Sequence, residues 1–116
     1  MYFLRTIQDG LHGTISEIKM QYITIPGTAV LSCQYETIPT VRWQRRGSII
    51  SQGSKINPNF NGSERFRVTN KLLDKQYVLQ ILKTTEEDLD LYVCEVQYNS
   101  TTTETKVMLK LAGKII

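Results

Sequence analysis

Two cysteines, one histidine and a run of acids are the residues of this chain that could do chemistry. In a chain patterned for strands, Cys33 and Cys94 read as one disulfide, which places the protein in an oxidising compartment. Two free, buried thiols are the alternative. A bridge would close a loop of about sixty residues, a constraint that chain entropy values at about 4 kcal/mol. The acids Glu86, Glu87, Asp88 and Asp90 have the residue types of a metal site or of paired acid–base carboxylates. Three of them stand on one helical turn, where they serve as a cap. They lack the alternate spacing and the glycine of a calcium loop, so no metal is expected. His12 stands on a loop-like segment with no cluster of ligands beside it. No Ser–His–Asp set and no glycine-rich phosphate loop can be assembled. The chain therefore reads as no enzyme, with no catalytic residues and no cofactor.

The asparagines offer a different chemistry. Asn61-Gly62-Ser63 and Asn99-Ser100-Thr101 are N-glycosylation sequons, and both fall in expected loops. They agree with the disulfide in placing the domain outside the cell. A glycan on Asn99, at a hairpin tip, would shield that tip and push recognition onto a sheet face.

Length and composition bound the rest. At 116 residues the chain is one domain with room for a real core. A hydrophobic fraction of 41% and a charged fraction of 22% are those of a globular protein. The net charge of +3 is scattered. Its one cluster, Arg42, Arg45 and Arg46, reads as a solvated strand face, whereas nucleic-acid binding wants a denser stripe with stacking aromatics. No apolar run approaches the ~20 residues of a membrane helix. Met1-Tyr2-Phe3-Leu4 is too short for a signal peptide and is followed by charge. A domain of secreted type without either element reads as a fragment of a larger chain.

These residues need elements to hold them. Residues 1–13 carry little pattern and stay unassigned. A strand in two pieces is expected over 14–25, before a turn at Pro26-Gly27. Over 28–35, Ala29, Leu31 and Cys33 alternate inward. Over 41–45, Val41 and Trp43 point inward and Arg42 and Gln44 outward. Arg46-Gly47 turns the chain into a short strand at 48–51, with another near Lys55-Ile56. Strands follow at 65–69 and 76–82, the latter with Tyr77, Leu79 and Ile81 inward. Thr84 and Thr85 cap a helical turn over 84–88. Strands at 90–98 and 103–111 flank a hairpin loop, the last with Val107, Leu109 and Leu111 on one face. Residues 112–116 form a tail, a linker in a longer chain. Short, evenly spaced strands with turn chemistry between them indicate an all-β, two-sheet sandwich.

Cys33, Trp43 and Tyr92-x-Cys94 stand in the order of an immunoglobulin-type sandwich. The stretch 14–111 resembles a V-set (variable-type) immunoglobulin domain. The resemblance rests on Cys33, Val41-Arg42-Trp43, Arg65-Phe66-Arg67-Val68, Tyr77-Val78-Leu79-Gln80-Ile81, and Glu87-Asp88 ahead of Tyr92 and Cys94. The long segment between 45 and 65 favours this type. Within the superfamily the chain is most similar to the first domain of lachesin and IgLON-type adhesion proteins. The local cues are Thr84-Thr85-Glu86-Glu87-Asp88, Leu91-Tyr92-Val93-Cys94-Glu95-Val96-Gln97 and Thr105-Lys106-Val107-Met108-Leu109-Lys110-Leu111. The chain departs from the pattern at Asp90, where a small residue is usual, and in its tail, which lacks an arginine–proline linker. It also lacks the Phe-Gly-x-Gly bulge of rearranging antigen receptors.

The resemblance implies a bridge between facing sheets, with Trp43 packed on it and Tyr92 pinning the corner before Cys94. It implies that Arg65 and Asp88 form a structural charge pair closing one end. It further implies a glycosylated extracellular or cell-surface domain, part of a secreted or membrane-anchored receptor, which binds itself or another immunoglobulin-superfamily protein. Binding would use the face of the strands lettered C, C′, F and G, here 41–45, 48–51, 90–98 and 103–111. By alternation that face shows Arg42 and Gln44, one of Ile49 or Ile50, then Val93, Glu95 and Gln97, and finally Lys106, Met108 and Lys110. Its isoleucine, valine and methionine would be an apolar centre within a polar rim, with no small-molecule substrate. The competing function is an innate immune receptor or secreted effector that binds a microbial or carbohydrate ligand through loops 36–40 and 99–102.

Overall fold

Alternating apolar residues bring nine strands into two facing sheets in a computed structural model that describes residues 17–37 and 39–113. The unassigned segment 1–13 and the end of the tail lie outside those residues. The strands are β1 (Ile18–Ile23), β2 (Ala29–Gln34), β3 (Thr40–Arg45), β4 (Ser48–Gln52), β5 (Lys55–Ile56), β6 (Phe66–Lys71), β7 (Gln76–Ile81), β8 (Leu91–Tyr98) and β9 (Thr101–Leu111). The larger sheet has the order β1-β9-β8-β3-β4-β5 and the smaller one β2-β7-β6. Single 3₁₀ turns stand at Ser63–Arg65, Leu72–Asp74 and Glu86–Asp88.

The core is what alternation requires. Ala29, Leu31 and Cys33 from β2 and Leu79 and Ile81 from β7 are fully buried. They face Val41 and Trp43 of β3, Tyr92 and Cys94 of β8, and Val107 and Leu109 of β9, all likewise buried. The Cys33–Cys94 bond crosses between the sheets, with a Cα–Cα distance of 6.2 Å. Trp43 is the largest fully buried side chain, and its β3 position pairs in register with Cys94. Arg46 and Gly47 both have positive φ (52° and 77°), as a two-residue hairpin turn between twisted strands demands.

Four expectations change. Among the described residues the first strand is one piece, and it runs parallel to β9. Ile50 is a core residue with no exposed surface, so it is not part of the outward face. A bulge between Trp43 and Gln44 shifts the register of β4, which pairs Gln44 with Ile49 and buries Ile50 and Ser51 together. Leu111 is 44% exposed although it follows Val107 and Leu109 on their side. The reason is that β9 outruns β8, whose pairing ends at Met108, and Leu111 has only β1 beside it. Thr84 does not cap the turn. Its hydroxyl donates to the Gly27 carbonyl at 3.0 Å, and the Asp88 carboxylate takes the Thr85 N–H at 2.9 Å.

Candidate functional site: the outward face of the larger sheet

Three charged side chains, Arg45, Arg65 and Asp88, hold one end of the sandwich shut. The turn before β8 lays Asp88 beneath the start of β6. Arg65 grips it with two bonds, Nη1–Oδ2 at 2.8 Å and Nη2–Oδ1 at 3.0 Å. Arg45 Nη1 approaches the same carboxylate at 3.7 Å and donates to the Tyr92 hydroxyl at 3.0 Å. The Arg45 guanidinium lies over the Phe60 ring, 4.8 Å from its centroid. Tyr92 in turn donates to the Asp88 carbonyl at 2.7 Å, which fixes the corner into β8. Burial pushes the Asp88 carboxyl up, but the Arg65 bonds, the Thr85 amide and the two positive charges outweigh it and hold the group below its ordinary value. Burial, partly opposed by the Arg45 bond, pushes the Tyr92 phenol up to about 12.

Of the arginines beside Trp43, Arg46 stays in solvent, its side chain 78% exposed, whereas Arg45 is largely buried, and each of the three meets an acid. Arg42 binds Glu95 across β3 and β8, with Nε at 3.1 Å. Arg46 Nε meets Asp90 at 2.6 Å, and Asp90 also takes the Leu91 N–H. The acidic run is dispersed in the same way, since Glu86 and Glu87 are exposed while Asp88 and Asp90 point at different arginines. Among the described residues no group of three His, Cys, Asp or Glu could hold a metal. Removing only the corner hydroxyl tests the network. Tyr92→Phe should cost about 2 kcal/mol, because it strands a buried carbonyl and an arginine donor. The expected result is a lower urea midpoint at unchanged slope.

The sheet face itself assembles in rows. One row reads Ile49, Gln44, Val93, Lys106 and Ile18 across β4, β3, β8, β9 and β1. The next reads Leu91, Met108 and Met20. A third joins Arg42, Glu95 and Glu104, and Tyr22 stands beside Lys110 at the far edge. Gln97 is exposed at the hairpin end. Ile18, Met20 and Tyr22 are 45%, 53% and 61% exposed. Sequence reasoning missed these three and Leu91. Ile18-x-Met20-x-Tyr22 shows the period of a strand face, but only the pairing of β1 with β9 says which surface they extend. The outward side of the smaller sheet is mostly polar, with Ser32, Gln34, Arg67 and Thr69.

Both sequon asparagines are exposed. Asn99 sits in the β8–β9 turn with φ of 56°. Asn61 lines an open cleft of about 830 Å³ with Arg46, Phe60 and Asp90, at the opposite end of β8. The sequons therefore lie towards opposite ends of β8, Asn99 at the hairpin and Asn61 in a cleft that also includes Ile49.

The family model for the immunoglobulin I-set domain matches residues 15–111. Solved structures with the same fold include the ZIG-8–RIG-5 IG1–IG1 heterodimer. It shows 19% identity, coverage of 91% of this chain and 90% of that one, and a TM-score of 0.68. The second immunoglobulin domain of the mouse polymeric immunoglobulin receptor shows 16% identity, 85% and 100% coverage, and a TM-score of 0.68. Titin domain M7 shows 20% identity, 87% and 100% coverage, and a TM-score of 0.62. No curated protein sequence matches the chain.

Proposed function

The chain belongs to the immunoglobulin I-set family, and from that premise we propose that it is an extracellular recognition domain that binds another immunoglobulin domain through the outward face of its larger sheet. Domains of this fold commonly mediate protein–protein recognition and are typically binding or structural modules rather than enzymes. The observation that carries the reading is the run of Ile18, Met20, Tyr22, Val93 and Met108 on one side of one sheet. The other sheet presents mostly polar residues. Three of the run, Ile18, Met20 and Tyr22, are exposed, Val93 and Met108 partly so, and Lys106 stands among them; an apolar patch set among charges is the composition of an interface.

Three further features support it. An internal disulfide is typical of extracellular domains. A glycan on Asn99 would stand at the hairpin end and leave the β1–β9–β8 part of the face open. One structure of the same fold is itself a pair of immunoglobulin domains. The resemblance to lachesin and IgLON-type first domains fits a cell-surface adhesion protein. No helix among the described residues is long and apolar enough to cross a membrane.

The test is surface plasmon resonance against purified immunoglobulin-superfamily ectodomains, this domain included. Val93→Arg puts a charge at the centre of the face, and a central interface residue carries about 2 kcal/mol or more, so binding should weaken about 30-fold. Thr69→Arg, outward on the smaller sheet, should change nothing. Binding that survives Val93→Arg but is lost on changing Glu36 or the Asn99 hairpin would transfer recognition to the loops, and with it the choice of a microbial or carbohydrate ligand.

A further inference from the structure

The cleft of about 830 Å³ that Asn61 lines opens at the end of the sandwich where β8 begins. Its other lining comes from the β3–β4 turn, the segment 57–60, and Glu87 and Asp90. The walls are fixed by bonds of their own. Asn57 donates its side-chain amide to the Ile49 carbonyl at 2.9 Å and accepts the Asn59 N–H at 3.0 Å. The Asn57 N–H donates to the Ile50 carbonyl at 2.8 Å, and the Phe60 N–H to the Asn57 carbonyl at 3.0 Å. Arg46, also on the wall, is tied to Asp90 at 2.6 Å. A surface held in this way loses little freedom when something settles on it.

The remaining wall groups are those that hold a neutral sugar. Asn59 and Glu87 are exposed, and among the described residues their side chains make no hydrogen bond or ion pair. A carboxylate accepts from neighbouring hydroxyls, and a carboxamide both gives and takes. Ile49, partly exposed on the same wall, offers an apolar patch to the C–H face of a sugar ring or to an acetyl methyl group. Glu87 would repel an anionic ligand, and the Arg46 charge is already met by Asp90. The volume lies within the range of about 300–1,000 Å³ that small-ligand sites have. The acceptor asparagine of Asn61-Gly62-Ser63 stands on the wall itself and is exposed. A sugar linked there reaches the cleft without an association step, at the high effective concentration of a short tether. Asn99, at the hairpin tip, has no place among the residues of this cleft.

We propose that Asn61 carries an N-linked glycan whose first sugars lie in this cleft, hydrogen-bonded to Asn59 and Glu87 and packed over Ile49. The inference rests on the extracellular reading above, because the co-reactant is the lipid-diphosphate-linked oligosaccharide of the secretory route. The Asn61 amide nitrogen bonds to the anomeric carbon of that oligosaccharide. The carbon–oxygen bond to the diphosphate breaks, the lipid diphosphate leaves, and the amide gives up one proton. The seated sugar screens the β4 side of the sheet face and leaves the β1–β9–β8 part to a partner.

The experiment is secretion of the domain from eukaryotic cells that leave high-mannose glycans, followed by intact-mass analysis and timed endoglycosidase H digestion of the folded protein. Both Asn61 and Asn99 should carry sugar. Asn61 should be cleaved about tenfold more slowly than Asn99, the factor that one or two hydrogen bonds hold closed, and the rates should agree after reduction and unfolding. Asn59→Ala and Glu87→Ala should each speed cleavage at Asn61 about threefold or more and leave Asn99 unchanged. Both variants, refolded without sugar from bacteria, should melt with the unglycosylated original, which verifies their folding. Asn61→Gln gives a second readout: it should lower the melting temperature of the secreted domain by about 4 °C and leave that of the refolded bacterial domain unchanged. Sugar on Asn99 with none on Asn61 would overturn the inference and leave the extracellular reading standing. No sugar on either would overturn it as well, and the Val93→Arg test would then decide the binding reading by itself. Equal rates at the two sites in the folded protein, or a slow rate at Asn61 that neither wall variant changes, would overturn the seat in the cleft.

Discussion

Asp88→Ala is expected to leave the domain about 3–5 kcal/mol less stable, because it removes one partner from a buried ion pair and strands the other. Asp88 is 1% exposed, and Arg65 and Arg45 converge on it. Arg65 would keep its bonds to the Leu82 and Lys83 carbonyls but lose both carboxylate bonds. The Thr85 N–H would lose its acceptor as well. Urea unfolding followed by Trp43 fluorescence measures the effect. Arg65→Ala should cost less than Asp88→Ala, since Arg45 still faces the carboxylate. The double variant should cost less than the sum of the singles, as partners in one network do. A loss below about 1 kcal/mol for Asp88→Ala would mean that the pair contributes no more than a surface bridge.

The same carboxylate sets the acid limb of stability. Its value in the folded protein is held below the ordinary one. Its contribution is therefore complete above the unfolded value, about 3.9, and is lost as the pH falls through the folded value. Asp88→Asn should flatten the fall in stability over that window and lower the plateau at neutral pH. An acid limb of unchanged steepness in Asp88→Asn would assign the limb to other carboxylates.

Reduction of the Cys33–Cys94 bond is expected to cost about 4 kcal/mol, the chain-entropy value of a loop of this length. The loop spans 61 residues. Domains of this size have a total stability of about 5–15 kcal/mol, so the reduced form should sit near the edge of folding. The paired variant Cys33→Ala/Cys94→Ala should melt about 20 °C lower. Calorimetry with and without reductant, on the original and on the paired variant, checks it. Reductant should move the first and leave the second unchanged. A shift of only a few degrees would mean that the packed core around Trp43, Phe66 and Leu79 holds the sheets together by itself. With the large shift, the domain depends on an oxidising environment for its stability.

What could be read from the sequence was local. Alternation is a property of neighbours along the chain, so Ala29, Leu31 and Cys33, or Val41 and Trp43, declare their buried side without knowledge of any partner strand. The turn at Arg46-Gly47 and the acids of Glu86–Asp88 are equally local. A disulfide between two cysteines needs no pairing choice.

The face was legible only in part, and each gap comes from a contact between residues far apart in the chain. Ile49 and Ile50 are neighbours of one type, and a bulge in the adjacent strand decides which is buried. Arg42, Arg45 and Arg46 look alike in sequence, and their acids and phenol lie 40 to 55 positions away, at Glu95, Asp88, Tyr92 and Asp90. Ile18, Met20 and Tyr22 join the face because β1 pairs with β9. The all-β sandwich, its bridge and most of its inward residues follow from a two-residue period and from covalent chemistry, with Leu111 and Ile50 the exceptions. The joining of Ile18, Met20 and Tyr22 to the face and the burial of Ile50 rest on strand order and register, which long-range backbone pairing sets and no local pattern encodes.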